Sequence, residues 1–215
     1  MGNKIQANLH RLGVTKGWTS RWFGDKKTMQ KNLQQDAKIR KIIESELPKA
    51  GISSVDIERH PRLINVIIHT SRAGMVIGRG GSGVEALKKK VSQIIGNQVE
   101  LRLTIEEVKK PNEDAAIVAE GIAEQLERRV PFRRVLKQTL QSVQEAHGVK
   151  GVKISVSGRL DGAEMSRSEY LTAGKIPLAT LRADIDFAQK TAYTKYGTTG
   201  VKVWIYKGDV LRNQK

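Results

Sequence analysis

The chain contains no cysteine. Disulfides and thiolate metal sites are therefore excluded. Its histidines, His10, His60, His69 and His147, are scattered and share no ligand spacing, so no metal and no cofactor are expected. No apolar run approaches the roughly 18 residues of a membrane span. The first residues carry lysine but no apolar core segment, so no secretory signal is expected. Internal repeats and low-complexity tracts are missing too. No motif sets a nucleophile, a base or a metal in mutual reach, which argues against an enzyme and against a small-molecule substrate. Acidic residues are scarce: Asp+Glu is 22 against Lys+Arg 38, a formal net charge of +16. That excess favours a polyanionic partner, nucleic acid ahead of an acidic membrane. A length of 215 residues allows one or two domains with a real core. A soluble intracellular protein is the expectation.

What the sequence does contain is a glycine-rich junction, Val76-Ile77-Gly78-Arg79-Gly80-Gly81-Ser82. Glycine permits φ > 0 and a close backbone approach. A helix opening here presents free N–H groups and its positive dipole end to an anion. Ser82 with Glu85 reads as a capping box, and Lys88, Lys89 and Lys90 lie along the same helix. Three readings compete. Gly78, Arg79, Gly80 and Gly81 form the G-x-x-G of a KH domain, which clamps single-stranded nucleic acid. Gly78, Gly80 and Gly83 also match a dinucleotide fingerprint. The third reading is a tight turn and nothing more.

Context decides among them. Residues 1–27 read as a basic, aromatic extension, in which Lys4, Arg11, Lys16 and Arg21 interleave with Trp18, Trp22 and Phe23. Its aromatics are expected mainly to pack on the protein and its basic groups to face RNA. A helix over 28–47 buries Ile39, Ile42, Ile43 and Leu47. Strands follow around 55–58 and over 63–70, the second more continuously apolar, as a central strand is. A helical turn, the glycine loop, a helix over 82–95 and a strand over 99–105 complete the set. That is the element order of a type II KH domain over residues 28–108. A Rossmann unit would need strand, turn and helix in immediate succession. No Gly-Lys-Ser/Thr closes the loop, so a P-loop is excluded.

Residues 109–215 read as a second, two-layer α+β domain with an antiparallel sheet. Asn112 is placed as the cap of a helix burying Ala119, Ile122, Ala123 and Leu126. Pro131 interrupts, and is tolerated at the first position of the next helix. That helix buries Phe132, Val135, Leu136 and Val143, while Arg133, Arg134 and Lys137 cluster on its other side. No acidic residue follows at i+3 or i+4 to pair them, which favours a nucleic-acid contact over a plain solvated face. Strands are expected over 151–157, 179–187 and 200–206. The polar loop 157–167 carries Arg159 and Arg167, and Glu164 or Glu169 is a candidate partner for one of them. Asp184 and Asp186 read as an exposed strand face.

Taken together, Arg11-Leu12-Gly13, Trp18-Thr19-Ser20-Arg21-Trp22-Phe23, the glycine loop, Leu126-Glu127-Arg128-Arg129, Phe132-Arg133-Arg134, Ser157-Gly158-Arg159-Leu160-Asp161-Gly162-Ala163-Glu164, Leu181-Arg182-Ala183-Asp184-Ile185-Asp186 and Gly200-Val201-Lys202-Val203-Trp204-Ile205 resemble the bacterial-type small ribosomal subunit protein three family. They occur in that family's order over nearly the whole chain. The resemblance implies a structural constituent of the small subunit. It implies binding to 16S rRNA in the lower part of the head, beside ribosomal proteins ten and fourteen. It also implies contact with mRNA where the message enters, beside proteins four and five, and help in unwinding it. Arg133, Arg134 and Lys137 match the family's basic helix facing incoming mRNA. Lys4, Arg11, Lys16, Trp18, Arg21, Trp22, Arg159 and Arg167 are the expected rRNA contacts. Gly78, Arg79, Gly80, Gly81, Lys88 and Lys89 are the expected KH contacts. Pro131 departs from the family, where a non-proline residue is more usual, and bears on the aim of the basic helix. The extended basic C-terminal tail of some relatives is also expected to be missing. The implied location is the cytoplasm, in ribosomes, with an organellar ribosome left open. A stand-alone KH regulator is the alternative reading.

Overall fold

The chain's structure, a computed structural model, describes residues 6–96 and 99–210. Contacts divide it into two units. One spans residues 18–109; the other joins the described residues up to 17 to those from 110 onward. The stretch read as a single N-terminal extension is thus split, its first part belonging with the C-terminal unit. That part opens with a short helix, α1 (Ala7–His10).

The 18–109 unit starts with β1 (Ser20–Arg21), α2 (Lys26–Glu46), β2 (Ile52–Arg59) and β3 (Leu63–Thr70). Then come α3 (Ala73–Ile77), α4 (Ser82–Ile95) and β4 (Glu100–Glu107). The sheet order is β1-β2-β3-β4. β2 and β3 pair antiparallel, while β1 and β4 each pair parallel to their neighbours. This is the KH type II arrangement. β3 is central, and its burial alternates strictly: Ile64, Val66, Ile68 and Thr70 face inward. The three apolar ones meet Ile39 and Ile43 of α2 and Val91 of α4 in one cluster. Each such aliphatic side chain contributes about 1.5–3 kcal/mol relative to leaving it in water.

One buried ion pair fastens the front of this unit. Asp36 of α2 is 1% exposed and accepts from Arg59 Nε at 2.9 Å. The same carboxylate accepts from Ser20 Oγ and Trp22 Nε1. Two buried charges are tolerable because each is paired and hydrogen-bonded.

The other unit adds α5 (Ala115–Glu127), α6 (Phe132–Gln144), β5 (Gly151–Gly158), β6 (Arg167–Gly174), β7 (Ala183–Thr194) and β8 (Gly197–Asp209). Its antiparallel sheet runs β6-β5-β8-β7. α5 and α6 cover one face, burying Ile122, Phe132, Val135, Leu136, Ile154, Val203 and Ile205 in a common core. β6 is a strand that the sequence reading leaves as loop. It is an edge strand, half-exposed along its length, so its apolar alternation is short. The strand expected from residue 179 begins only at Ala183.

The helix caps also differ from expectation. Asp114, not Asn112, caps α5, its side chain accepting from the Ala116 and Ile117 amides at 2.9 and 3.3 Å. Pro111–Glu113 form a separate turn before it. Gly81, in left-handed conformation, stands at the N-cap of α4, so Ser82 is already helical and no capping box forms. Pro131 stands just outside α6, its carbonyl accepting from Arg134 and Val135 amides at 3.0 and 3.2 Å. The proline's missing N–H therefore costs the helix nothing.

Candidate nucleic-acid interface

In the 18–109 unit, three glycines shape the loop between α3 and α4. Gly78, Gly80 and Gly81 have φ of +70°, +60° and +85°. A Cβ on Gly80 or Gly81 would meet nothing within 4 Å, so the loop backbone is open to a ligand. Gly83 acts differently. A Cβ there would lie 2.5 Å from the Val76 carbonyl oxygen, so its absence lets α4 start against the end of α3. Arg79, Lys88 and Lys89 are exposed. Lys88 and Lys89 make no ion pair among the described residues, whereas Lys90 meets Glu46 at 2.6 Å. An open amide-lined turn, a helix N-terminus and free lysines suit a phosphate backbone.

The aromatic stretch at the start of this unit is mixed. Trp18 is 65% and Phe23 97% exposed, against the expectation that the aromatics are mainly packed. Trp22 is the one drawn inward, by its bond to Asp36. Arg21 is exposed, with Nη1 3.4 Å from Glu58.

Two basic residues expected at an RNA surface are committed within the protein instead. Arg11 is 0% exposed. Its Nε donates to the Ala183 carbonyl at 2.6 Å and its Nη1 to that of Ala7 at 3.1 Å. Its Nη2 donates to the carbonyls of Pro177, Leu178 and Thr180. Burial pulls the guanidinium pKa down from its ordinary value, and Asp184 acts the other way. Lys16 approaches Asp184 at 3.0 Å. Asp186 accepts from the Ala115 amide at 3.0 Å, at the start of α5. Asp184 and Asp186 therefore form an internal tie, not an exposed strand face. Lys4 lies outside the described residues.

On α6, a buried face of Phe132, Val135, Leu136 and Val143 sets Arg133, Arg134 and Lys137 outward. Arg134 and Lys137 make no ion pair among the described residues. Arg133 does have a partner, from β6 and not from its own helix: Glu169, at 3.7 Å. Arg167 approaches the same carboxylate at 3.4 Å. Arg159 is exposed but used locally, its Nε donating to the Ala163 carbonyl at 2.9 Å and its Nη1 to that of Tyr196 at 3.2 Å. The fold thus brings Arg133, Arg134, Lys137 and Arg167 to one corner of the C-terminal unit. The pairing of Glu169 with Arg167 is the one the sequence offered, but local spacing could not reveal that Arg133 shares it.

Among the described residues, no cluster of three His, Cys, Asp or Glu stands ready to hold a metal. No helix there is long and apolar enough to cross a membrane.

Comparison with known proteins gives two family matches. Residues 38–113 match the KH domain family, and residues 122–205 match Ribosomal protein S3, C-terminal domain. The small ribosomal subunit protein uS3 of Gloeothece citriformis is 50% identical over 215 residues, covering 100% of this chain and 89% of that protein. Its namesake in Clostridium beijerinckii is 49% identical, over 100% of this chain and 96% of its own. In Caldicellulosiruptor saccharolyticus the figure is 52% over 211 residues, 98% of this chain and 94% of the relative.

Proposed function

The chain belongs to the family of small ribosomal subunit protein uS3, and on that premise we propose how its surfaces divide the work of a structural, rRNA-binding protein of the small subunit. It is a constituent of the ribosome and not an enzyme. It works in the cytoplasm, within ribosomes, as its bacterial relatives do. Trp18, Trp22, Arg21, Lys88, Lys89 and the open loop Gly78-Arg79-Gly80-Gly81 contact 16S rRNA in the head, beside ribosomal proteins ten and fourteen. α6 faces the channel where mRNA enters, beside proteins four and five, and helps to open paired messages. Arg159 and Arg167 flank that surface.

One observation carries the mRNA reading. Arg134 and Lys137 stand exposed and without an ion pair among the described residues, on a helix whose opposite face is fixed in the core. Cations held rigidly and left unneutralised are suited to moving phosphates, since they attract every nucleotide and select none. The test is a photo-cross-linker at position 137 in assembled subunits. It should capture mRNA downstream of the decoded codon. Capture of 16S rRNA alone would assign α6 to the scaffold.

A further inference from the structure

A cavity of about 300 Å³ lies in the C-terminal unit, between the α5–α6 turn, the Arg159–Gly162 turn and the β7–β8 turn. Leu126, Val130 and Leu160 give it an apolar lining, and Tyr196 supplies an aromatic ring. Two arginines, Arg129 and Arg159, line it together with one carboxylate, Asp161. Arg129 is exposed, and its side chain makes no ion pair among the described residues. Arg159 is held in place by the carbonyls of Ala163 and Tyr196.

The backbone here is unusual. Among the described residues only two that are not glycine have positive φ, Arg129 at +62° and Asp161 at +53°, and both line this cavity. Arg129 follows α5, its amide bonded to the Leu126 carbonyl while the Val130 amide reaches that of Gln125. That is a Schellman ending, with arginine where glycine is usual. Left-handed residues other than glycine concentrate at functional sites. Gly162 completes the arrangement. A Cβ there would come within 3.0 Å of the Tyr196 ring, so the ring rests against bare backbone.

We propose that this cavity receives a single unstacked base of single-stranded RNA, its flanking phosphates meeting Arg129 and Arg159. The inference deepens the RNA-contact reading of the C-terminal unit and rests on it, but uses residues other than Arg133, Arg134 and Lys137. The volume is at the small end of ligand pockets, suited to one heterocycle and not a stacked pair. An apolar floor and one aromatic ring accept a base's π-face without selecting sequence. Asp161 accepts a hydrogen bond from an exocyclic amino group. An apolar side chain of a partner protein would fill the floor but leave Arg129 unused. The site is also continuous with α6: Phe132 lines the cavity, and Arg133 begins the exposed basic face.

The test is an NMR titration of the methyl-labelled full-length protein with adenosine 5′-monophosphate. The methyl signals of Leu126, Leu160 and Thr199 should shift. Ribose 5-phosphate, which lacks the base, should not move them. Tyr196→Ser should weaken adenosine 5′-monophosphate by at least about fivefold. Tyr196 is 55% exposed, so this variant folds. Arg129→Asn keeps a residue that accepts the left-handed backbone and should weaken binding through the phosphate alone. Arg133→Ala/Arg134→Ala/Lys137→Ala should leave all these shifts intact, which separates failure of the mRNA reading from failure of this one. Three results overturn the proposal: no methyl shift, equal shifts with ribose 5-phosphate, or shifts with N-acetylphenylalanine amide and none with the nucleotide.

Discussion

Arg133 and Arg167 both carry their guanidinium groups over the ring of Phe132, at 5.7 and 5.5 Å from its centroid. They come from α6 and β6 and share the single carboxylate of Glu169. One negative charge between two cations leaves the corner positive. Both arginines are substantially exposed and both ion-pair distances are long, so each pair contributes under about 1 kcal/mol. Arg133 is therefore held loosely enough to exchange Glu169 for a phosphate.

Replacing Arg133, Arg134 and Lys137 together by alanine should change stability little, because alanine is a good helix former and the buried face is untouched. Removing one phosphate-binding cation should lower the salt slope of binding to single-stranded RNA by roughly 0.7, and removing all three by about 2. Filter binding over a salt series measures this. In ribosomes carrying the variant, unstructured messages should translate nearly normally, and messages with a stable hairpin ahead should stall. Equal slowing of both templates would give α6 an assembly role.

The glycine loop separates two kinds of substitution. Gly80→Asp puts a negative charge into open space at φ +60°, ψ +22°, a conformation that aspartate accepts more readily than most residues. The protein should stay folded and bind single-stranded RNA several-fold more weakly. Gly83→Ala should instead lower the melting temperature, because its Cβ would meet the Val76 carbonyl oxygen at 2.5 Å. Unchanged RNA affinity in folded Gly80→Asp would reduce the loop to a turn.

Arg11 should prove structural. Arg11→Ala removes five side-chain hydrogen bonds and leaves the Ala183 and Leu178 carbonyls without the guanidinium, while those of Pro177 and Thr180 keep a backbone amide, at a cost of about 3 kcal/mol or more in a denaturant melt. Arg11→Lys should not rescue it, because an ammonium cannot reach carbonyls on several sides as the planar fork does. RNA affinity of the folded fraction should match wild type.

A pH effect is expected at the end of β8. The Tyr206 hydroxyl donates to Asp209 at 2.7 Å, and Arg182 lies 3.2 Å away. The tyrosine's hydrogen bond first, and Arg182 after it, hold the Asp209 carboxyl below its ordinary pKa. A depressed folded pKa means that the contribution is present above the unfolded value and is lost as pH falls through the folded one. Tyr206→Phe should move the Asp209 titration upward, toward ordinary aspartate, as followed by carboxyl NMR. An unmoved titration would assign the shift to Arg182.

Much of this fold was readable because its strands bury one face. Val152, Ile154 and Val156 alternate with polar residues, Val201, Val203 and Ile205 alternate with Lys202 and Trp204, and all six are buried. The G-x-x-G was readable because positive φ demands glycine. What escaped depends on distant chain. Arg11 resembles any surface arginine until carbonyls more than 160 residues away are brought around it. Glu169 reaches Arg133 only across β6, an edge strand whose inward residues are few. Asp114 outcompetes Asn112 as a cap because Pro111–Glu113 form their own turn first. The expected rRNA contacts thus divide into those the surface offers, such as Trp18 and Arg21, and those the interior has taken, such as Arg11.

The attachment of α1 to β7 also sets an order of events during synthesis. Asn8 bonds both the amide and the carbonyl of Phe187, and Arg11 is surrounded by carbonyls from Pro177 to Ala183. The α1 segment is thus made long before the strand it docks on, and is among the last to find its place. The unit of residues 18–109 has every strand and helix it needs well before that point. A released fragment ending near residue 130 would carry every element of the KH fold with Arg11 still undocked and available to any polyanion nearby.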